Sequence, residues 1–152
     1  MIRIKPVKYS KIEKIFGPPG KEVLKDFISK KSPFVFENGQ DVLYGHKYII
    51  PAVIEALEEI KDYYGEALIK ELGLNSYAGC YNKRKTSSGR WWSVHSWGLA
   101  VDFLPKLGPY GRPSAIPYHF VEAFKKRGFI WGGDWKKPYT DGMHFSGIIE
   151  GV

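Results

Sequence analysis

The strongest constraint on this chain is a short alternation, Leu99-Ala100-Val101-Asp102-Phe103-Leu104. Successive side chains of a strand point to opposite faces, so Leu99, Val101 and Phe103 share one face while Ala100 and Asp102 share the other. The apolar face must be buried, which displays a lone carboxylate among small residues on the opposite face. Gly98 permits a bend that carries His95 back over that face, where a straight strand would place it on the wrong side. Farther along, Asp141-Gly142-Met143-His144-Phe145 repeats the pattern. Met143 and Phe145 point to the core, and His144 joins the face of Asp102.

The rest of the chain supplies elements to cover the apolar face. Phe16-Gly17-Pro18-Pro19-Gly20 is a loop, because two prolines between glycines sustain neither helix nor ladder. Lys21–Lys30 has helical spacing of Val23, Leu24, Phe27 and Ile28. Phe34–Phe36 and Val42–Tyr44 flank Asn38-Gly39 as a hairpin would. A helix is expected from Pro51 to Tyr64, with Val53, Ile54, Leu57 and Ile60 facing the core, then a short one over Glu66–Leu72. Another runs from Pro117 to Arg127, with cations in its last turn and Gly128 as its stop. Strands are expected over Ser76–Asn82, Leu99–Leu104, Phe129–Trp131 and Met143–Ile149. This order predicts an α+β fold, a small and mostly antiparallel sheet with helices packed on it. The irregular Pro105–Pro117 segment reads as a functional rim or a disordered loop.

Length and composition narrow the class. With 152 residues, 43% hydrophobic and 26% charged, a single domain over 1–152 with a real core is expected. One cysteine, Cys80, forms no internal disulfide and reads as a small buried residue. The N-terminus lacks the apolar stretch of a secretion signal, and no run approaches the roughly 20 apolar residues that span a bilayer. The net charge of +7 predicts attraction to polyanions. A basic helix or aromatic RNA-binding motif is absent, so nucleic acid is not the expected partner.

Two imidazoles and one carboxylate, His95, Asp102 and His144, are a standard catalytic zinc set that leaves one position for water. The zinc site is expected on the open face of the sheet, with one zinc per chain. Asp141, three residues before His144 across a glycine, is placed to take a proton from that water. The chemistry this supports is hydrolysis of a carbonyl bond, with an amide as the expected substrate bond. His46 and His119 have no carboxylate at ligand spacing and read as structural. Ser93 has two readings, a substrate hydrogen bond or a cap on the turn. At least two of the five tryptophans are expected to be core, with others, Trp97 and Trp131 among them, walling a substrate cleft. Asp134 is either a hydrogen-bond acceptor for a ligand histidine or a turn residue.

Ser93-x-His95-x-x-Gly98-x-Ala100-x-Asp102, Gly128-Phe129-x-Trp131-Gly132-Gly133-Asp134-Trp135 and Asp141-x-Met143-His144-Phe145 together resemble a known family. It comprises the VanY-type D-alanyl-D-alanine carboxypeptidases and the L-alanyl-D-glutamate endopeptidases found as phage endolysins. The resemblance covers about Ala78–Phe145, with a weaker echo at Gly45-His46-Lys47. It implies an α+β zinc peptidase acting on peptidoglycan stem peptides, with His95, Asp102 and His144 as ligands and Asp141 as general base. It also implies that Arg84 faces the scissile carbonyl, where a fixed guanidinium would stabilise an oxyanion. Better-known members carry Glu at position 141. Asp is one methylene shorter, so either the backbone near Gly142 brings it closer or a second water relays the proton.

The expected activity is therefore L-alanyl-D-glutamate endopeptidase cleavage of the bacterial wall by a monomeric phage endolysin, released from the cytoplasm through holin-type pores. The alternatives are a D-alanyl-D-alanine carboxypeptidase of the same family and a zinc-stabilised, non-catalytic wall-binding module.

Overall fold

The computed structural model describes residues 1–150; the last two residues of the domain expected over 1–152 lie outside them. Its centre is a four-stranded antiparallel sheet of β4 (Tyr77–Gly79), β5 (Ala100–Phe103), β6 (Ile130–Trp131) and β7 (His144–Ser146), in the spatial order β4-β5-β7-β6. Strands β5 and β7 set the register, with Ala100 opposite Ser146, Val101 opposite Phe145 and Asp102 opposite His144. Val101, Phe103 and Phe145 are wholly buried, as the alternation requires. The α+β reading holds.

Helices close the apolar side. Helix α2 (Ile50–Tyr64) begins with Pro51 in its first turn and buries Val53, Ala56, Leu57 and Ile60. It is followed by α3 (Glu66–Glu71), and α4 (Tyr118–Lys125) buries Phe120, Val121 and Phe124. The Phe124 ring lies 4.4 Å from that of Phe145, so α4 packs directly on β7. Arg127, expected only as a helix-end cation, is buried instead. Its Nε donates to Glu55 at 2.8 Å and its Nη1 to Glu59 at 3.0 Å, tying the end of α4 to α2. No helix among the described residues is long and apolar enough to cross a membrane.

The first half departs from its sequence pattern. Lys21–Asp26 forms a 3-10 turn, and the expected helix then gives way to β2 (Phe27–Lys31), paired antiparallel with β3 (Val42–His46). Helical spacing loses here because β3 offers an open edge and Phe27 gains Tyr44, His46 and Tyr81 as aromatic neighbours. Asn38-Gly39 does turn, with the Asn38 side chain accepting from Gln40 N and Gly39 at φ +88°. Phe34–Phe36 is not a strand, however. Phe34 and Phe36 enter the core from a loop, Phe36 beside Tyr77 and Phe103.

Two further elements frame the site. The expected Met143–Ile149 strand breaks at Gly147 into β7 and β8 (Ile148–Ile149), and β8 pairs in parallel with the N-terminal β1 (Val7–Lys8). A short helix, α1 (Ile12–Phe16), follows β1. The Pro105–Pro117 segment is a packed rim: a Cβ on Gly108 would meet Gly142 backbone at 2.6 Å, and Ala115 N donates to Leu107 O.

Gly98 holds a left-handed φ of +64° at the bend, and a Cβ there would meet the Phe27 ring at 2.3 Å. Gly39 is also left-handed but faces open space. Gly98→Ala should therefore cost about 2–4 kcal/mol, combining strain with overpacking, while Gly39→Ala costs about 1 kcal/mol from strain alone. Urea unfolding of both variants checks the difference.

Candidate metal centre

The antiparallel register places Asp102 and His144 side by side on the face of the sheet turned away from the aromatic core. His95 reaches the same point from a 3-10 turn over Val94–Trp97, which ends at the left-handed Gly98. One ligand-type atom from each of His95, Asp102 and His144 lies within 4.8 Å of the others. His95 Nε2 is 3.1 Å from Asp102 Oδ2, and His144 Nδ1 is 3.4 Å from Asp102 Oδ1. Both imidazoles are nearly sealed from solvent, at 4% and 5% exposure.

This donor set fits a metal ion. Asp102 Oδ1 is buried with no properly aligned hydrogen-bond donor, as is Asp141 Oδ1. A buried carboxylate oxygen left without a donor is costly, and a cation at the convergence point would satisfy it. Each imidazole also has its outward nitrogen occupied. His95 Nδ1 is 2.7 Å from the Cys80 carbonyl, and His144 Nε2 is 2.6 Å from Glu150 Oε2.

The electrostatics match this arrangement. Burial opposes ionisation of Asp102, yet the flanking His144 and His95 outweigh it and hold the carboxyl well below the usual carboxylate range. Burial also disfavours the charged form of His144, but Glu150 and Asp102 overcome it and raise its pKa well above an ordinary histidine. Without metal, His144 is thus an imidazolium held between two carboxylates. Metal binding must displace its Nδ1 proton.

Asp141 sits beside this cluster. Burial, reinforced by the charges of Asp102 and Glu150 and opposed by His144 and His95, pushes its pKa up to about 6. Its turn is tightly seated. Asp141 N donates to Gly132 O at 2.9 Å, and Trp131 Nε1 donates to Gly142 O at 2.7 Å. A Cβ on Gly132 would meet Asp141 O at 2.3 Å, and one on Gly133 would overlap the Trp131 ring. The glycine pair is therefore small so that the Asp141 turn can close against it.

The remaining expected site residues divide. Ser93 is buried, and its Oγ accepts from His95 N, so it caps the turn that presents His95. Trp97 is 1% exposed, donates Nε1 to Gly17 O and meets Tyr9 edge-on, so it is mostly a packing residue. Half-buried Trp131 braces the Asp141 turn. Arg84 is anchored by its backbone, with its N and O both bonded to Ser96 Oγ at 3.1 Å, while its guanidinium lies exposed and donates to Lys85 O. Asp134 pairs with Lys125 at 2.6 Å and not with a histidine. His46 is buried between Phe16 and Phe27, and His119 stacks on Tyr63; neither approaches the cluster.

Trp135, part of the glycine-rich motif, lies 5.2 Å from the His144 ring. Sequence reading missed two residues near the centre, Ser96, which pins Arg84, and Glu150, which contacts His144. Glu150 had a signal, an even spacing from His144, but the break at Gly147 hides it.

The family model described as D-alanyl-D-alanine carboxypeptidase matches residues 86–147. Over that segment the chain is similar to this peptidase family. No curated protein and no solved structure matches the chain. The matched peptidase segment contains His95, Asp102, Asp141 and His144, whereas Arg84 and Glu150 lie outside it.

The raised pKa of Asp141 carries a stability signature in the metal-free protein. Its folded pKa lies above the unfolded value, so its favourable contribution is present at low pH and is lost as pH rises through about 6. Asp141→Asn removes that loss. The metal-free variant should melt a few degrees above wild type at pH 7, with the difference closing near pH 4. Thermal denaturation across that range checks it.

Proposed function

We propose that the chain is a zinc peptidase that hydrolyses an amide bond in peptidoglycan stem peptides, as an L-alanyl-D-glutamate endopeptidase of the phage endolysin type. The observation that carries the proposal is the convergence of His95, Asp102 and His144 beside a buried carboxylate, Asp141, that has an unpartnered oxygen. A site that only stabilised the fold would need neither that extra carboxylate nor an open coordination position. His95, Asp102 and His144 would hold the zinc, which would supply Lewis acidity toward a substrate carbonyl and a bound water.

The chain's own residues do the rest. Asp141, a buried carboxylate beside the three ligands with one oxygen unpartnered, is placed to accept a proton from the attacking water. It then returns that proton to the leaving amine. The tight seat of Gly142, whose carbonyl is gripped by Trp131, supports direct action by the shorter aspartate. Arg84 stands on a backbone fixed by Ser96, and its free guanidinium is available to swing onto the developing oxyanion. Trp135 against His144 shields the centre from water, which strengthens the electrostatics inside it.

The surroundings favour an acidic substrate. Lys83, Arg84, Lys85 and Arg90 are exposed on the segment leading into the His95 turn, and the chain carries a net +7. Stem peptides are rich in carboxylate, so attraction would raise encounter rates. The carboxypeptidase alternative rests on the matched family's own description, D-alanyl-D-alanine carboxypeptidase.

The purified protein should hold about one zinc per chain. His144→Ala should lose most of it, whereas Asp141→Asn should keep the metal and lose at least 100-fold in turnover, the scale expected for a general base. Metal analysis and mass spectrometry of digested peptidoglycan check both points, and the masses identify the bond cut. Release of terminal D-alanine alone would favour the carboxypeptidase.

A further inference from the structure

The two histidines of the centre turn different nitrogens inward. His95 aims Nε2 at Asp102, while His144 aims Nδ1. In each case the opposite nitrogen meets an accepting oxygen, which holds a hydrogen outward and makes the inward nitrogen the one left for a metal ion, for His144 once its own proton is displaced. For His95 that oxygen is the backbone carbonyl of Cys80. For His144 it is a side chain, Glu150, at 2.6 Å.

We infer that Glu150 is a positioning residue for the metal centre: its carboxylate accepts the Nε2–H of His144 and thereby fixes the ring with Nδ1 facing Asp102. The inference rests on the zinc reading above. Glu150 lies beyond the segment that matches the peptidase family, so the completion of the site depends on a different part of the fold. The carboxylate follows directly on β8. That strand is held by parallel pairing with β1, with Lys8 opposite Ile149 and Val7 N donating to Gly147 O at 3.0 Å. Ser146 Oγ accepts from Ile148 N at 2.9 Å and fixes the bend between β7 and β8. The N-terminal strand thus reaches the metal centre through one carboxylate. His144 is buried and the Glu150 side chain is only 25% exposed, so the contact is shielded from competing water.

A merely structural ion pair would alter stability and leave metal affinity alone, so affinity is the deciding measurement. Zinc binding to wild type, Glu150→Gln and Glu150→Ala is measured by competition with a chromophoric chelator, alongside the visible spectrum of the cobalt-substituted proteins. Glu150→Ala should weaken zinc binding about 10–100-fold and change the cobalt spectrum, because the His144 ring is no longer held. Glu150→Gln keeps an accepting oxygen but loses the charge that strengthens the imidazole as a donor, so it should lose about three- to tenfold. The glutamine variant is isosteric, and if the alanine variant fails to fold its affinity alone decides the matter. Zinc affinity within twofold of wild type in the folded variants would overturn the inference. Failure of wild type itself to bind zinc would instead overturn the zinc reading.

Discussion

The site depends on one pairing, the antiparallel register that sets Asp102 of β5 opposite His144 of β7. Side chains alternate along a strand, so a slip of one residue would send both into the core and bring Val101 and Phe145 to the surface. The register is therefore enforced from the far side of the sheet. Phe145 stacks on Phe124, Phe103 lies against Phe120 and Phe124, and exposing such rings would cost roughly 1.5–3 kcal/mol each. Hydrophobic packing on one face thus determines ligand geometry on the other. The helices that bury those rings are in this sense part of the candidate site.

Around that pairing the protein concentrates ionisable groups in a poorly solvated place. Asp102, Asp141, Glu150, His95 and His144 share one neighbourhood, and their charges act on one another. Asp102 is held ionised while Asp141 is pushed the other way, a divergence of the kind that separates a ligand from an acid–base group. The cause is position. Asp102 lies between two imidazoles, whereas burial dominates at Asp141 and the charges of Asp102 and Glu150 add to it. Close backbone approach makes the second environment possible, because Gly132, Gly133, Gly108 and Gly142 remove the side chains that would hold the Asp141 turn away.

Much of the second half was legible because period-two alternation and ligand spacing are local. The strands at Ala100–Phe103 and His144–Ser146 and the bend at Gly98 follow from residues near one another in the chain, and the alternation in each strand put Asp102 and His144 on faces that the β5–β7 pairing then brought together. The α2 and α4 helices were legible for a similar reason, each carrying its own apolar stripe. The first half was less so. Phe27 and Ile28 have helical spacing with Val23 and Leu24, yet a strand edge distant in sequence captured them. Phe34 and Phe36 look like a strand and are core-filling loop residues. Trp97 reads as a cleft wall from its place beside His95, yet it is almost wholly buried against Tyr9 and Gly17.

The sequence by itself determined the chemistry available, two histidines and two aspartates at spacings that can share a face, and the periodicities of the elements that present them. Only the tertiary structure decided which nitrogen each histidine turns inward, which glutamate orients His144 and where the Arg84 guanidinium rests. Those outcomes depend on contacts between residues far apart in the chain, such as β1 with β8, the Cys80 carbonyl with His95 and Trp131 with Gly142. Local pattern carries the direction of a side chain relative to its own backbone. The partner it meets is set by packing of the whole chain.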